Sequence, residues 1–259
     1  TLSYIIFVQP AVLSVAGMDF GSVMTATCLA SALATFLMGL YANYPIALAP
    51  AMGHNFYFAF TVCGAVAAGG MGYRWETALG AVFISGLLFV VLTKFGFRET
   101  LLNAIPESIK HAIAVGIGLL IAFVGLQWAG IVADAPGILV GLGNLKSPPV
   151  LLSIFGLIVT SILISKNIKG GILIGVIITA IAGLPFGIVK YHGVLSMPPS
   201  LSPTFLKLDL SGLFSASGIT IIFIFFFLAM FDTIGTLVGV SEQAGFIKDG
   251  KLPRAEKAL

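Results

Sequence analysis

The chain has 259 residues, 58% of them hydrophobic and 9% charged, with a mean hydropathy of +1.10. A soluble domain carries roughly 25% charged residues, so this chain cannot clothe itself against water and most of its surface must face lipid. The net charge of +3, from 13 Lys and Arg against 10 Asp and Glu, is too small and too scattered for a nucleic-acid footprint.

A helix needs roughly 20 apolar residues to cross the hydrocarbon core. Residues 1–18 contain no Asp, Glu, Lys or Arg, and neither do residues 20–73, too long a run for one span. Splitting that run at 41–45 gives eight predicted segments, near 1–16, 21–40, 45–68, 77–95, 109–131, 149–165, 170–189 and 217–240. The pattern describes an all-α polytopic membrane protein. No basic leader precedes the first segment, and the polar stretch 251–259 begins like a new amphipathic helix, so the sequence reads as truncated at both ends.

Segment three carries two prolines, Pro45 and Pro50, ahead of Ala51-Met52-Gly53-His54-Asn55. Each proline removes an amide donor and disfavours helix before it. The prediction is a short extended piece followed by a half-helix starting after Pro50. Irregular backbone at membrane depth survives where it lines a cavity or is buried in protein, and broken helices mark binding sites in secondary transporters. The alternative is an ordinary proline-kinked helix.

Loop charge predicts orientation. Lys94, Arg98, Lys110, Lys166, Lys169, Lys248, Lys251, Arg254 and Lys257 fall in even-numbered loops, against Arg74, Lys146, Lys190 and Lys207 in odd-numbered ones. Positive residues prefer the cytoplasm, which puts the even loops and the N-terminus there. Residues 166–169 form a tight hairpin turn between segments six and seven, and 190–211, with Pro198, Pro199 and Pro203, an extracellular crossover. Lys207 and Asp209 mark an interfacial helix at 210–214, Tyr73-Arg74-Trp75-Glu76 an interfacial anchor, and 98–111 a solvated turn.

Asp232 is the one carboxylate deep in an apolar segment, following Phe225-Phe226-Phe227-Leu228-Ala229-Met230-Phe231. An ionisable group there is costly and therefore a candidate for function. At 100° per residue Asp232, Gly235, Thr236 and Gly239 share a face, and the Gly235–Gly239 spacing would admit a close helix neighbour. Such an acid could take a proton, accept hydrogen bonds from a ring N–H, or simply be satisfied by a neighbouring hydroxyl. Asn55 can both donate and accept, as a heterocycle requires, while His54 beside it could equally pack locally. Phe56 or Tyr57 could stack on a planar ligand; core or lipid-facing roles are the plainer reading for both and for Phe58 and Phe60. Gln9 places an amide inside segment one. Cys28 and Cys63 read as small buried hydrophobes. There is no Walker loop, no HExxH and no Ser/His/Asp arrangement in the spans, so neither ATP-driven transport, a metal, a cofactor nor a membrane-embedded enzyme has a motif.

Tyr4-Ile5-Ile6-Phe7-Val8-Gln9-Pro10, Ala47-Leu48-Ala49-Pro50-Ala51-Met52-Gly53-His54-Asn55 and Phe231-Asp232-Thr233-Ile234-Gly235-Thr236-Leu237 together resemble the nucleobase:cation symporter-2 superfamily, and within it the purine permeases for adenine, guanine and hypoxanthine. The resemblance covers the whole chain. It implies seven segments repeated once in inverted order, with a short strand and half-helix in segment three. The chain would divide into core segments one to four (1–96), gate segments five to seven (97–190), a crossover (191–216), and segment eight with its following loop (217–259). The function implied is proton-coupled purine nucleobase transport by the complete protein at the cytoplasmic membrane, with this piece alone not transporting. Asp232 would bind the base and take the proton, with His54 assisting; Gly53, Asn55, Phe56, Tyr57, Thr233 and Gln9 would line the site. The family tends to pair as homodimers through the gate. Gln9, Ala51 and His54 stand where it usually has Asn, Gly and an apolar residue. A uracil or xanthine permease, or an anion exchanger of the same fold, is the alternative; an exchanger would want a cation where Asp232 stands.

Overall fold

The computed structural model describes residues 2–94, 107–135, 139–189, 193 and 197–246. In chain order the helices are α1 (Ile5–Val15), α2 (Phe20–Leu37), α3 (Met52–Phe56), α4 (Trp75–Lys94), α5 (Glu107–Trp128), α6 (Pro148–Ser165), α7 (Gly171–Gly183) and α8 (Ala216–Gln243). Strands β1 (Val132–Ala135) and β2 (Leu139–Leu142) lie between α5 and α6. Among the described residues four helical stretches are long and apolar enough to cross a membrane: Phe20–Ala42, Trp75–Thr93, Pro148–Ser165 and Ala216–Ser241. Ile5–Val15, Gly118–Trp128 and Gly171–Gly183 are apolar but shorter. Large side chains such as Phe36, Leu40, Val90 and Leu157 stand exposed on these helices, as lipid contact requires.

The chain forms two compact units. The larger joins Ile5–Ile117 to Pro198–Leu259. Asp19 caps α2 by accepting from the Ser22 amide at 2.8 Å, satisfying one of the donors a helix start leaves free. The far end of α2 widens into a π-turn, Met38–Ala42, and Asn43 stops it in the left-handed region at φ 55°. The chain then runs without helix to Ala51, because Pro45 and Pro50 forbid it. One side chain steadies this break: the Thr35 hydroxyl accepts from the Leu48 amide at 2.9 Å and donates to the Leu48 carbonyl at 3.3 Å. Helix resumes at Met52, and after five residues it too widens into a π-turn, Tyr57–Val62. The half-helix of segment three is therefore present. The expected strand is not: residues 44–51 make no ladder, the Leu48 amide and carbonyl turning to Thr35 while Tyr44 and Ile46 pack beside Met38, Ala42 and Leu237.

Gly64 and Gly70 meet backbone to backbone, letting the chain double back so that the Met71 amide reaches the Thr61 carbonyl at 2.7 Å and Tyr73 that of Val62 at 3.0 Å. The core gathers Leu13, Val23, Phe58, Val62, Ala78, Ala81, Leu213, Ile221 and Phe225 from α1, α2, the π-turn, α4, the 210–215 turn and α8. The stretch 198–215 ties down helix starts: Thr25 donates to the Pro199 carbonyl at 2.9 Å, and the Asp209 amide to the Glu76 carbonyl at 3.0 Å. No helix forms at 210–214, contrary to the sequence reading. Gly212, at φ 84°, bends the chain into turns instead. Arg74 and Glu76 form an exposed ion pair at 2.8 Å.

The smaller unit joins Thr1–Tyr4 to Gly118–Met197. Its β1–β2 hairpin, antiparallel with Val132 opposite Leu142, departs from an all-α chain. Helices α6 and α7 form the predicted hairpin, closed at Asn167 (φ 53°) and Gly170 (φ 79°). They approach through reciprocal notches: Gly156 faces Thr179, and Gly175 faces Thr160. Small residues that let backbones come close are the main device of helix association in lipid. By contrast nothing lies within 4 Å of a Cβ built on Gly235 or Gly239, so the close approach expected there is not made among the described residues. Cys28 is exposed rather than buried, its face of α2 being an outer one, while Cys63 is half-buried. Most of the 98–111 turn and all of 251–259 lie outside the described residues.

Candidate functional site

The break in segment three brings its polar residues against α1 and α8, both of which pack on α3. Gln9 stands in α1 just before Pro10, and Asn55 in α3; both are buried. The Asn55 Nδ2 donates to Gln9 Oε1 at 2.6 Å and lies 3.7 Å from Met52 Sδ. Two amides that the sequence shows 46 positions apart thus form one buried pair.

Aromatic packing fixes how α8 meets the half-helix. The Tyr57 ring stands edge-on to Phe225 with centroids 5.2 Å apart, and Phe58 tilts against the same ring at 6.4 Å. Asp232 lies seven residues on, two turns or about 10 Å along α8 and within about 20° of the same face. It is half-buried, and its carboxylate has no hydrogen-bond partner among the described residues. Leu237, five residues further, is buried against Tyr44 and Ile46 of the extended piece. Along the helix Asp232 therefore lies between a contact with the half-helix and a contact with the proline-broken extended piece.

Around this frame several polar atoms are left over. Both ring nitrogens of His54 and the Tyr57 hydroxyl are buried without a partner among the described residues. A native interior rarely leaves such groups alone, so these three, within one helical turn, are open to water or a polar ligand. Gly53 is half-buried with nothing within 4 Å of a Cβ built on it. The remaining expected residues are more committed. Phe56 is buried and stacked on Phe60, 6.1 Å between centroids, so it is no free platform. The Thr233 hydroxyl donates to the Ala229 carbonyl at 2.7 Å and has only lone pairs left to offer. Thr236 likewise donates to the Asp232 carbonyl at 2.6 Å. Among the described residues no three His, Cys, Asp or Glu side chains gather as a metal site would require.

Asp232 can accept hydrogen bonds, His54 and Tyr57 can each donate or accept, and Tyr57 and Phe225 bring aromatic rings to the same stretch of α8. A profile described as "Permease family" matches residues 2–259. The chain belongs to that family. Three relatives cover all of this permease chain: a putative permease of Methanocaldococcus jannaschii at 56% identity, the guanine/hypoxanthine permease PbuG of Bacillus subtilis at 48%, and the adenine permease AdeP of Escherichia coli at 42%. The chain spans 59%, 60% and 57% of their respective lengths. Its family and its apolar helices make the chain part of a multi-pass membrane protein.

Sequence reasoning singled out Asp232, Asn55, His54 and Tyr57 one by one. It missed the Gln9–Asn55 bond and the Thr35 clasp on Leu48. A threonine placed opposite a proline-broken segment was the available signal for the second; nothing local signals the first.

Proposed function

We propose that the complete protein carries purine nucleobases across the cytoplasmic membrane as a secondary transporter coupled to protons. The observation that carries this reading is the Asp232 carboxylate, unpartnered among the described residues and two turns along α8 from Phe225, whose ring meets Tyr57 of the broken segment where buried polar atoms lack partners among the described residues. A carboxylate there accepts ring N–H groups, and its protonation couples binding to the proton gradient. His54 and Tyr57 add hydrogen-bonding capacity beside the base, and Gly53 leaves room for it. The names of PbuG and AdeP, guanine/hypoxanthine and adenine permeases, favour purines over other flat heterocycles.

In this reading 1–96 and 217–259 belong to a core that moves against gate segments within 97–190, in a fold of seven segments repeated in inverted order. The N-terminus is cytoplasmic, by loop charge, and two copies pair through the gate. The test is uptake of labelled adenine, guanine and hypoxanthine by the full-length protein in cells lacking purine uptake of their own. Saturable uptake that rises with the inward proton gradient, and is abolished by Asp232→Asn at equal surface expression, is the expected result. A wild type that transports none of the three bases refutes the purine reading and turns attention to uracil and xanthine. A mutant as active as wild type removes Asp232 from the site.

A further inference from the structure

Asn55 has two amide hydrogens, and the structure accounts for both: one points to Gln9 Oε1 at 2.6 Å, the other to Met52 Sδ at 3.7 Å. What the side chain has left is its oxygen. An asparagine in a binding site is otherwise ambiguous, since rotating the amide by half a turn exchanges donor for acceptor. Here the rotation is blocked, because it would set Asn55 Oδ1 against Gln9 Oε1, two acceptors at hydrogen-bond distance in a buried place. Only a matching rotation of Gln9 would relieve that clash.

We propose that Gln9 is a positioning residue and not a ligand contact: it fixes the Asn55 amide so that Oδ1 faces the ligand, and so makes this position read N–H donors. The proposal rests on the purine-transport reading above. Together with Asp232 it gives the site two acceptors, one neutral and one acidic. A base offering N–H groups on both edges satisfies them; a base offering a lone pair where Asn55 stands does not. Gln9 would thus set selectivity between purines that differ only in where their ring and exocyclic donors lie, without touching them.

The test is the ratio of KM values for adenine and hypoxanthine, which differ in having an amino or an oxo group at one ring position. It is measured in the full-length protein for wild type, Gln9→Met, Gln9→Glu and Asn55→Leu. Met keeps the length and removes the acceptor; Glu keeps the acceptor. The expected result is a change of about fivefold in the ratio for Gln9→Met, the size of one hydrogen bond's discrimination. Gln9→Glu retains the wild-type ratio, and Gln9→Met has no further effect on the ratio in the Asn55→Leu background. A general structural defect would raise both KM values together and leave the ratio alone, which overturns the proposal, as does a Gln9→Met effect that persists without Asn55. Should Gln9→Met fail to reach the membrane, Asn55→Asp carries the test, because a rotated Gln9 can still anchor it with an oxygen left toward the ligand: an unchanged ratio supports the proposal and a changed one overturns it. A wild type that transports no purine refutes the transport reading and not the lock. The lock is then judged by thermal unfolding of the purified protein: non-additive losses for Gln9→Met and Asn55→Leu support it and additive losses overturn it.

Discussion

Replacing Thr35 by Val should weaken the protein through a single peptide unit. Val matches Thr in shape, so packing is retained and only the hydroxyl is lost. That hydroxyl is a partner to the Leu48 amide at 2.9 Å and, with poorer geometry, to its carbonyl at 3.3 Å. Leu48 lies between Pro45 and Pro50, where no helix or strand offers replacement partners. An amide left unsatisfied in a part-buried position costs about 1–3 kcal/mol, and the carbonyl at 3.3 Å adds little, so about 2 kcal/mol is expected. For a domain of this size that corresponds to roughly 4–8 °C in melting temperature. The assay is thermal unfolding of the detergent-purified full-length protein, with Thr35→Ser as control, since Ser keeps the hydroxyl and should lie within about 2 °C of wild type. If Val is as stable as wild type, or Ser falls as far as Val, the hydroxyl does not hold the break and the argument fails. Uptake adds a second readout: the break carries the half-helix with Asn55, so Thr35→Val should raise KM for whatever base is transported.

Gly53→Ala should not destabilise the fold, because a Cβ there meets nothing within 4 Å and alanine favours helix by up to about 1 kcal/mol; a melting temperature at or above wild type with weakened uptake would assign the space beside Gly53 to the ligand, while a clear drop in stability would refute the open geometry. Gly175→Val should separate α6 from α7 by pressing on Thr160, at a cost of about 1–3 kcal/mol, read as lowered melting temperature, and a neutral result would mean the notch is not closed in the membrane. Asp209, outside the spans, is held below the usual carboxylate range by the Ser211 hydroxyl at 2.6 Å and then its amide at 2.8 Å. A depressed carboxyl stabilises above its unfolded pKa of about 3.9 and loses that contribution as pH falls through its folded value. The melting temperature of Asp209→Asn should therefore lie slightly below wild type at neutral pH, with the gap closing as the medium is acidified below about pH 4; a gap that widens in acid would reverse the assigned shift.

Hydropathy alone located most helices, because length without charge is what lipid demands. The proline pair announced the broken segment for an equally local reason: each ring removes a donor wherever it sits. What local sequence could not hold was pairing across distance. Gln9 and Asn55 each drew attention alone, and only the fold sets one against the other. The Gly235–Gly239 spacing drew attention as a packing groove and is open, whereas Gly156 and Gly175 meet the threonines of the opposite helix and went unremarked, because a notch means something only once its knob is known. The β1–β2 hairpin was missed although Pro136-Gly137 stands between its apolar runs, a turn signal overshadowed by the search for spans. At 210–214 charged flanks suggested an interfacial helix, and Gly212 decided otherwise.

The α6–α7 hairpin has a mechanical corollary. Two helices that interlock through glycine notches at successive turns, in both directions, cannot slide along one another without lifting apart. Pushed at either end, they respond as one stiff rod about as long as α6, and not as two independent springs. Any motion of the complete protein that reaches α7 must carry α6 with it, and the compliance has to come from the joints at Ser147 and Leu184, where the rod meets the rest of the chain.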